Sequence, residues 1–212
     1  SMNFPRLLPN PTEDVLALAV ANPGRDVSVL QLTATEAAGQ RVSGLGTRNP
    51  ATVLLPAGTQ MARYESDETL FGSALHSAGE HWHKLVSPNP DLKAFFLTAD
   101  PEFRDSLVGA EETGHRLLEA VLPAIRPGAS HLVGLVNPAA VTAAVTLRLI
   151  DDSGAILQTV TGTIPPHGSM HKRIEELFPA GLPPRGSGGY VRMSASAGVR
   201  AYQLLIPEGK TD

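Results

Sequence analysis

Three of the seven histidines in this chain, His76, His81 and His83, fall within one short stretch. Imidazole nitrogens are ligands for Zn²⁺ or Ni²⁺, and residues two apart on a strand point to the same side. His81 and His83 can therefore offer two nitrogens at compatible spacing, with His76, Glu80 or His115 as the third ligand. The competing reading puts Trp82 on the buried face and both histidines in solvent. Asp151 and Asp152 could supply oxygens to Ca²⁺, yet two carboxylates before Ser153-Gly154 are also what a tight turn favours.

Beyond these candidate metal residues the sequence assembles no catalytic set, and it is read as non-enzymatic and without a cofactor. His167 and His171 are four apart but straddle a Pro-x-Gly turn, with no HExxH helix. Ser169 and Ser194 lack the G-x-S-x-G setting of an activated serine. Gly186-Ser187-Gly188-Gly189 has no following lysine or helix to make a phosphate-cradling loop. The absence of cysteine removes thiolate nucleophiles, disulfides, Fe–S clusters and Cys-ligated zinc. One Trp, three Tyr and six Phe give no platform for stacking on bases or sugars. Tyr64, Trp82, Phe95, Phe96, Tyr190 and Tyr202 all read as core.

Charge excludes further classes. Seventeen basic and 21 acidic residues leave a formal net charge of -4 with no block of either sign, so no nucleic-acid partner is expected. No apolar run is long enough for a membrane-spanning helix, and no signal peptide is visible. Ser1-Met2 reads as a cloning scar, and the start at Phe4 implies a piece cut from something longer.

The elements that must position these residues are given by an internal repeat, which has to be sought before any local reading. Leu16–Gly39 and His131–Gly154 align without a gap, each with an apolar run that ends at Asn-Pro, at Asn22-Pro23 and Asn137-Pro138. Further matches follow in order: Leu55–Thr59 with Pro165–Ser169, Leu70-Phe71 with Leu177-Phe178, Trp82–Lys84 with Tyr190–Arg192, and Leu92–Phe95 with Val199–Tyr202. Upstream, Phe4–Leu7 matches Leu122–Ile125. Val15–Ala21 is too short for a buried helix and reads as a strand. Leu30, Leu32 and Ala34 alternate with Val29 and Gln31, as a half-buried strand requires. His81–Val86 with Leu92–Leu97, and Gly189–Met193 with Val199–Ile206, read as closing strand pairs. The pattern predicts an all-β chain of two tandem antiparallel sandwiches with about seven strands each: residues 1–105, a linker with a short helix at 106–120, and residues 121–212.

The Asn137-Pro138 alternation, the Asp151–Gly154 hairpin, Pro166–Ser169, Leu177-Phe178 and Gly189–Arg192 resemble a broad class of bacterial immunoglobulin-like and fibronectin type III-like sandwich modules. The first copy departs from that pattern at Glu36–Gly39 and by the insertion Arg41–Asn49. The resemblance implies a secreted or cell-surface protein whose partners are neighbouring domains of its parent, and a structural or presentation role. The alternative is recognition of a protein or glycan ligand through the longer loops 41–49 and 67–80. A shared sandwich fold by itself implies no activity.

Overall fold

The computed structural model describes residues 1–8, 14–72, 75, 79–99, 107–111, 115–125, 130–183 and 188–206. The chain divides into two compact units, Ser1–Gly114 and His115–Asp212. Both consist of antiparallel strands. Among the described residues the one α-helix is a single turn, α1 (Ile174–Leu177).

The first unit contains β1 (Met2–Pro5), β2 (Val15–Ala21), β3 (Ser28–Glu36), β4 (Ala51–Leu55), β5 (Gln60–Tyr64), β6 (His81–Val86), β7 (Lys93–Ala99) and β8 (Leu107–Glu111). They form two four-stranded sheets, ordered β1-β6-β3-β4 and β5-β2-β7-β8. Alternation sets the faces: Leu16, Leu18 and Val20 of β2 are buried, as are Leu30, Leu32 and Ala34 of β3, while Val29 and Gln31 are exposed. Directly paired antiparallel residues share a face. Leu32 pairs with Leu85, Ala34 with His83 and Glu36 with His81, and Phe4 of β1 also pairs with His83. Phe4 then meets Phe96 of the other sheet edge to face at 6.4 Å, so this face is the one turned to the second sheet.

The second unit contains β9 (Leu117–Ile125), β10 (Ser130–Val136), β11 (Ala143–Asp151), β12 (Ile156–Ile164), β13 (Ser169–Arg173) and β14 (Gly189–Ile206). The first part of β14 lies between β9 and β11, and its second part pairs with β10. The pairings run β9-β14-β11-β12 and β13-β10-β14, the order in which β1-β6-β3-β4 and β5-β2-β7 run in the first unit. β14 thus takes the places of both β6 and β7. Its core joins Leu135, Val145, Leu147, Leu149, Ile174, Phe178, Val191 and Met193.

Both units are braced by a buried asparagine. Asn22 Nδ2 donates to the carbonyls of Asp26, Leu55 and Pro56 at 2.8, 3.0 and 3.2 Å, and Oδ1 accepts from Gly24 N at 3.1 Å. Asn137 Nδ2 donates to Val141, Ile164 and Pro165 at 2.8, 3.2 and 2.9 Å, and Oδ1 accepts from Ala139 N at 3.1 Å. Their backbone amides donate to Thr59 O and Gly168 O. These bonds fasten the ends of β2 and β10 to the turns after β4 and β12.

Four expectations are corrected. The described residues of 106–120 include strand and no helix: Leu107–Glu111 pairs with β7, and β9 begins at Leu117. Pairing in a sheet outweighs the weak helical preference of a short segment. Gly189–Met193 and Val199–Ile206 are one strand, because Ser194–Gly198 lacks the prolines that separate β6 from β7 at Pro88 and Pro90. The shared asparagine bonds align Thr59 with Gly168, not Ser169, and put Gly58 opposite His167, both at positive φ. Of the aromatic residues read as core, Trp82 and Phe96 are buried, but Tyr64 and Phe95 are exposed.

Candidate functional site

The shared face of β6 carries the chemistry. His81, His83 and Leu85 have one parity and Trp82, Lys84 and Val86 the other, so His81 and His83 point inward with Leu85. Their expected solvent exposure is overturned: both rings are completely buried. Trp82 lies on the opposite face and is buried as well.

The residue that converges on them is Glu65, which follows β5 and is held there by its own amide, donating to Leu16 O at 2.9 Å. Its Oε2 lies 3.1 Å from His81 Nε2 and 3.0 Å from His83 Nε2. Its Oε1 accepts from Arg6 Nε at 2.6 Å, from the segment after β1. Three segments thus meet at one carboxylate. One ligand atom from each of Glu65, His81 and His83 can be chosen so that all lie within 4.8 Å of one another. The imidazole rings stand edge to face at 5.1 Å, and Phe71 covers His83 at 5.2 Å.

Burial pushes the Glu65 carboxyl up, but the hydrogen bonds with His81 and His83, with the Arg6 charge beside it, prevail and hold it well below the ordinary carboxylate range. Burial lowers the pKa of His83 against the opposing hydrogen bond to Glu65. His81 Nδ1 lies 2.8 Å from Gly79 O, an acceptor only, so Nδ1 carries the hydrogen. His83 Nδ1 is buried without a hydrogen-bond partner.

Among the described residues, the remaining candidates do not join this cluster. His76 lies outside the described residues. Glu80 and His115 are exposed. Asp151 Oδ1 accepts from Ser153 N, Ser153 Oγ and Ala155 N at 2.9, 2.6 and 2.9 Å, which occupies it within its own turn. The hydroxyl bond of Ser153 leads the causes that lower the Asp151 pKa. Asp152 accepts from Gly188 N. Glu65 was missed because it is sixteen residues from His81 and lies at the end of a different strand, in the other sheet. The parity of Leu85 was the overlooked signal for the histidines.

The loop Arg41–Asn49 is closed at its base by Asn49, whose side chain bonds Ala34 N, Ala34 O and Val42 O at 3.0, 2.6 and 2.9 Å. It also reaches the 67–80 loop: Arg48 N donates to Phe71 O at 2.7 Å, and Arg48 Nη2 to Glu68 O at 2.5 Å. Leu45 at its tip is fully exposed.

No family model and no curated protein matches the chain. Among solved structures, the Anabaena sensory rhodopsin transducer is similar at 12% identity with a TM-score of 0.36, over 41% of this chain and 81% of that one, a likeness that assigns no family.

Proposed function

We propose that this chain is a non-catalytic structural or presentation module, built from two tandem immunoglobulin-like sandwich units and working within a larger secreted or cell-surface bacterial protein. The carrying observation is where its polar groups go. The histidine–carboxylate cluster is sealed inside the first unit, with both rings at zero exposure, and a reaction needs groups that a substrate can reach. The Asn22 and Asn137 networks brace strand ends in the same way in both units, and the shared pairing order supports the tandem reading.

A second reading is recognition of a protein or glycan through loops 41–49 and 67–80. What favours it is that these two loops are bonded to each other through Arg48 and present the exposed Leu45, since rigidly held loops commonly carry binding. The two readings part in a screen against glycans and the parent's neighbouring domains, run beside a variant with Arg41–Asn49 shortened. The module reading expects attachment to neighbours that the shortening leaves intact. A saturable micromolar ligand lost on shortening selects recognition, and turnover abolished by a point substitution removes both.

A further inference from the structure

The cluster around Glu65 brings three possible ligand atoms, Oε2 and the Nε2 atoms of His81 and His83, to one point. With Nδ1–H of His81 donating to Gly79, Nε2 at 3.1 Å from the Glu65 carboxylate oxygen either carries a second hydrogen or turns a lone pair toward it. Two acceptors at that distance repel unless a cation lies between them, either a proton or a metal ion. His83 Nε2 lies 3.0 Å from the same oxygen.

The spacing suits a metal. Arms of 2.0–2.1 Å at a tetrahedral angle place neighbouring ligand atoms about 3.3 Å apart, so Oε2 needs to draw away from each Nε2 by only a few tenths of an ångström. The outer contacts also suit one. Gly79 O fixes the tautomer and orientation of His81, as a carbonyl behind a metal-bound imidazole does, and Arg6 holds Oε1 so that only Oε2 faces the histidines.

The second unit shows that the fold does not require these polar groups. By the shared pairings, Glu65, His81 and His83 fall opposite Ile174, Gly189 and Val191, and both Ile174 and Val191 are completely buried. Apolar packing closes that core, and replacing buried ion pairs by apolar side chains is often neutral or stabilising.

We infer that Glu65, His81 and His83 form a buried site for a divalent transition-metal ion, Zn²⁺ first, bound by Oε2 and the two Nε2 atoms with a water completing four-fold coordination. The site belongs to the first unit and makes the metal a brace across its two sheets. It goes beyond the module reading and does not depend on it.

The test uses the whole chain, freed of metal by a chelator, titrated with Zn²⁺ by calorimetry and followed in thermal unfolding by the fluorescence of Trp82. The site predicts one Zn²⁺ per chain and an unfolding midpoint raised by about 10 °C at a hundredfold excess over Kd. Glu65→Gln keeps the shape of the side chain, and His83→Val copies Val191; each is expected to keep the circular dichroism of the parent and to lose the Zn²⁺-dependent shift. A midpoint unmoved by Zn²⁺, or moved equally in both variants, overturns the site in favour of a proton-bridged ion cluster or surface binding. If a variant does not fold, Co²⁺ added to the unsubstituted chain settles the matter. Saturable quenching of Trp82, which lies between the two histidines on β6, supports the site, and its absence overturns it.

Discussion

Replacing Asn22 by alanine probes the brace of the first unit. The side chain is completely enclosed, and it makes three donor bonds and two acceptor bonds, the last from Asn89 Nδ2 at 3.1 Å. An intramolecular hydrogen bond contributes about 0.5–1.5 kcal/mol net, and a buried group left without a partner costs about 1–3 kcal/mol. The bond to Leu55 O is fully buried, whereas those to Asp26 O and Pro56 O are partly open to water that can replace the amide. One fully orphaned carbonyl plus partial loss of the rest gives about 2–4 kcal/mol. Asn22→Asp should cost at least as much, because it turns a carboxylate oxygen toward three carbonyl oxygens. The chain's single tryptophan, Trp82, reports on this unit, so denaturant unfolding followed by its fluorescence measures the loss directly. A change below about 0.5 kcal/mol for Asn22→Ala, with unaltered slope, would refute the claim that the amide bears this load.

Trp82→Ala, which empties a buried site on β6, is expected to destabilise the first unit by about 3–5 kcal/mol, measured by urea unfolding in circular dichroism. Gly72 stands at φ +84, and a Cβ there would lie 2.1 Å from Gly46 O, so Gly72→Ala should cost about 1–3 kcal/mol or more and separate the two long loops, seen as lost amide protection at Arg48. The Asp151 carboxyl should titrate below its ordinary value of 3.8, so the stability it confers is present above that value and lost as pH falls through the lower folded midpoint. Carbon-detected NMR should show that midpoint, and Ser153→Ala should raise it.

Most strands were legible because period-two alternation is local. Val15–Ala21 and His81–Val86 match their expected bounds, and Leu30, Leu32 and Ala34 face inward as the alternation requires. The twinned asparagines stood out because a buried Asn followed by Pro at a strand end performs the same fastening twice. Register was not legible, because it depends on which strand lies alongside. Size made Trp82 the natural core residue of β6, yet pairing with Leu32 and Ala34 turned Leu85 and the histidines toward the second sheet. Glu65 joins them through the return of the chain after β5, a contact that no local pattern encodes. Two prolines end β6, while their lack lets β14 run on for eighteen residues, a difference that was in the sequence and was outweighed by the repeat.

The most direct measurement on the buried site is anomalous diffraction at the zinc edge from crystals of the chain grown with Zn²⁺. The account predicts one strong peak inside the first unit, about 2.0–2.2 Å from Glu65 Oε2, His81 Nε2 and His83 Nε2. Crystals in which zinc lies only elsewhere, with Glu65 Oε2 still 3.0 and 3.1 Å from the two nitrogens, would contradict it.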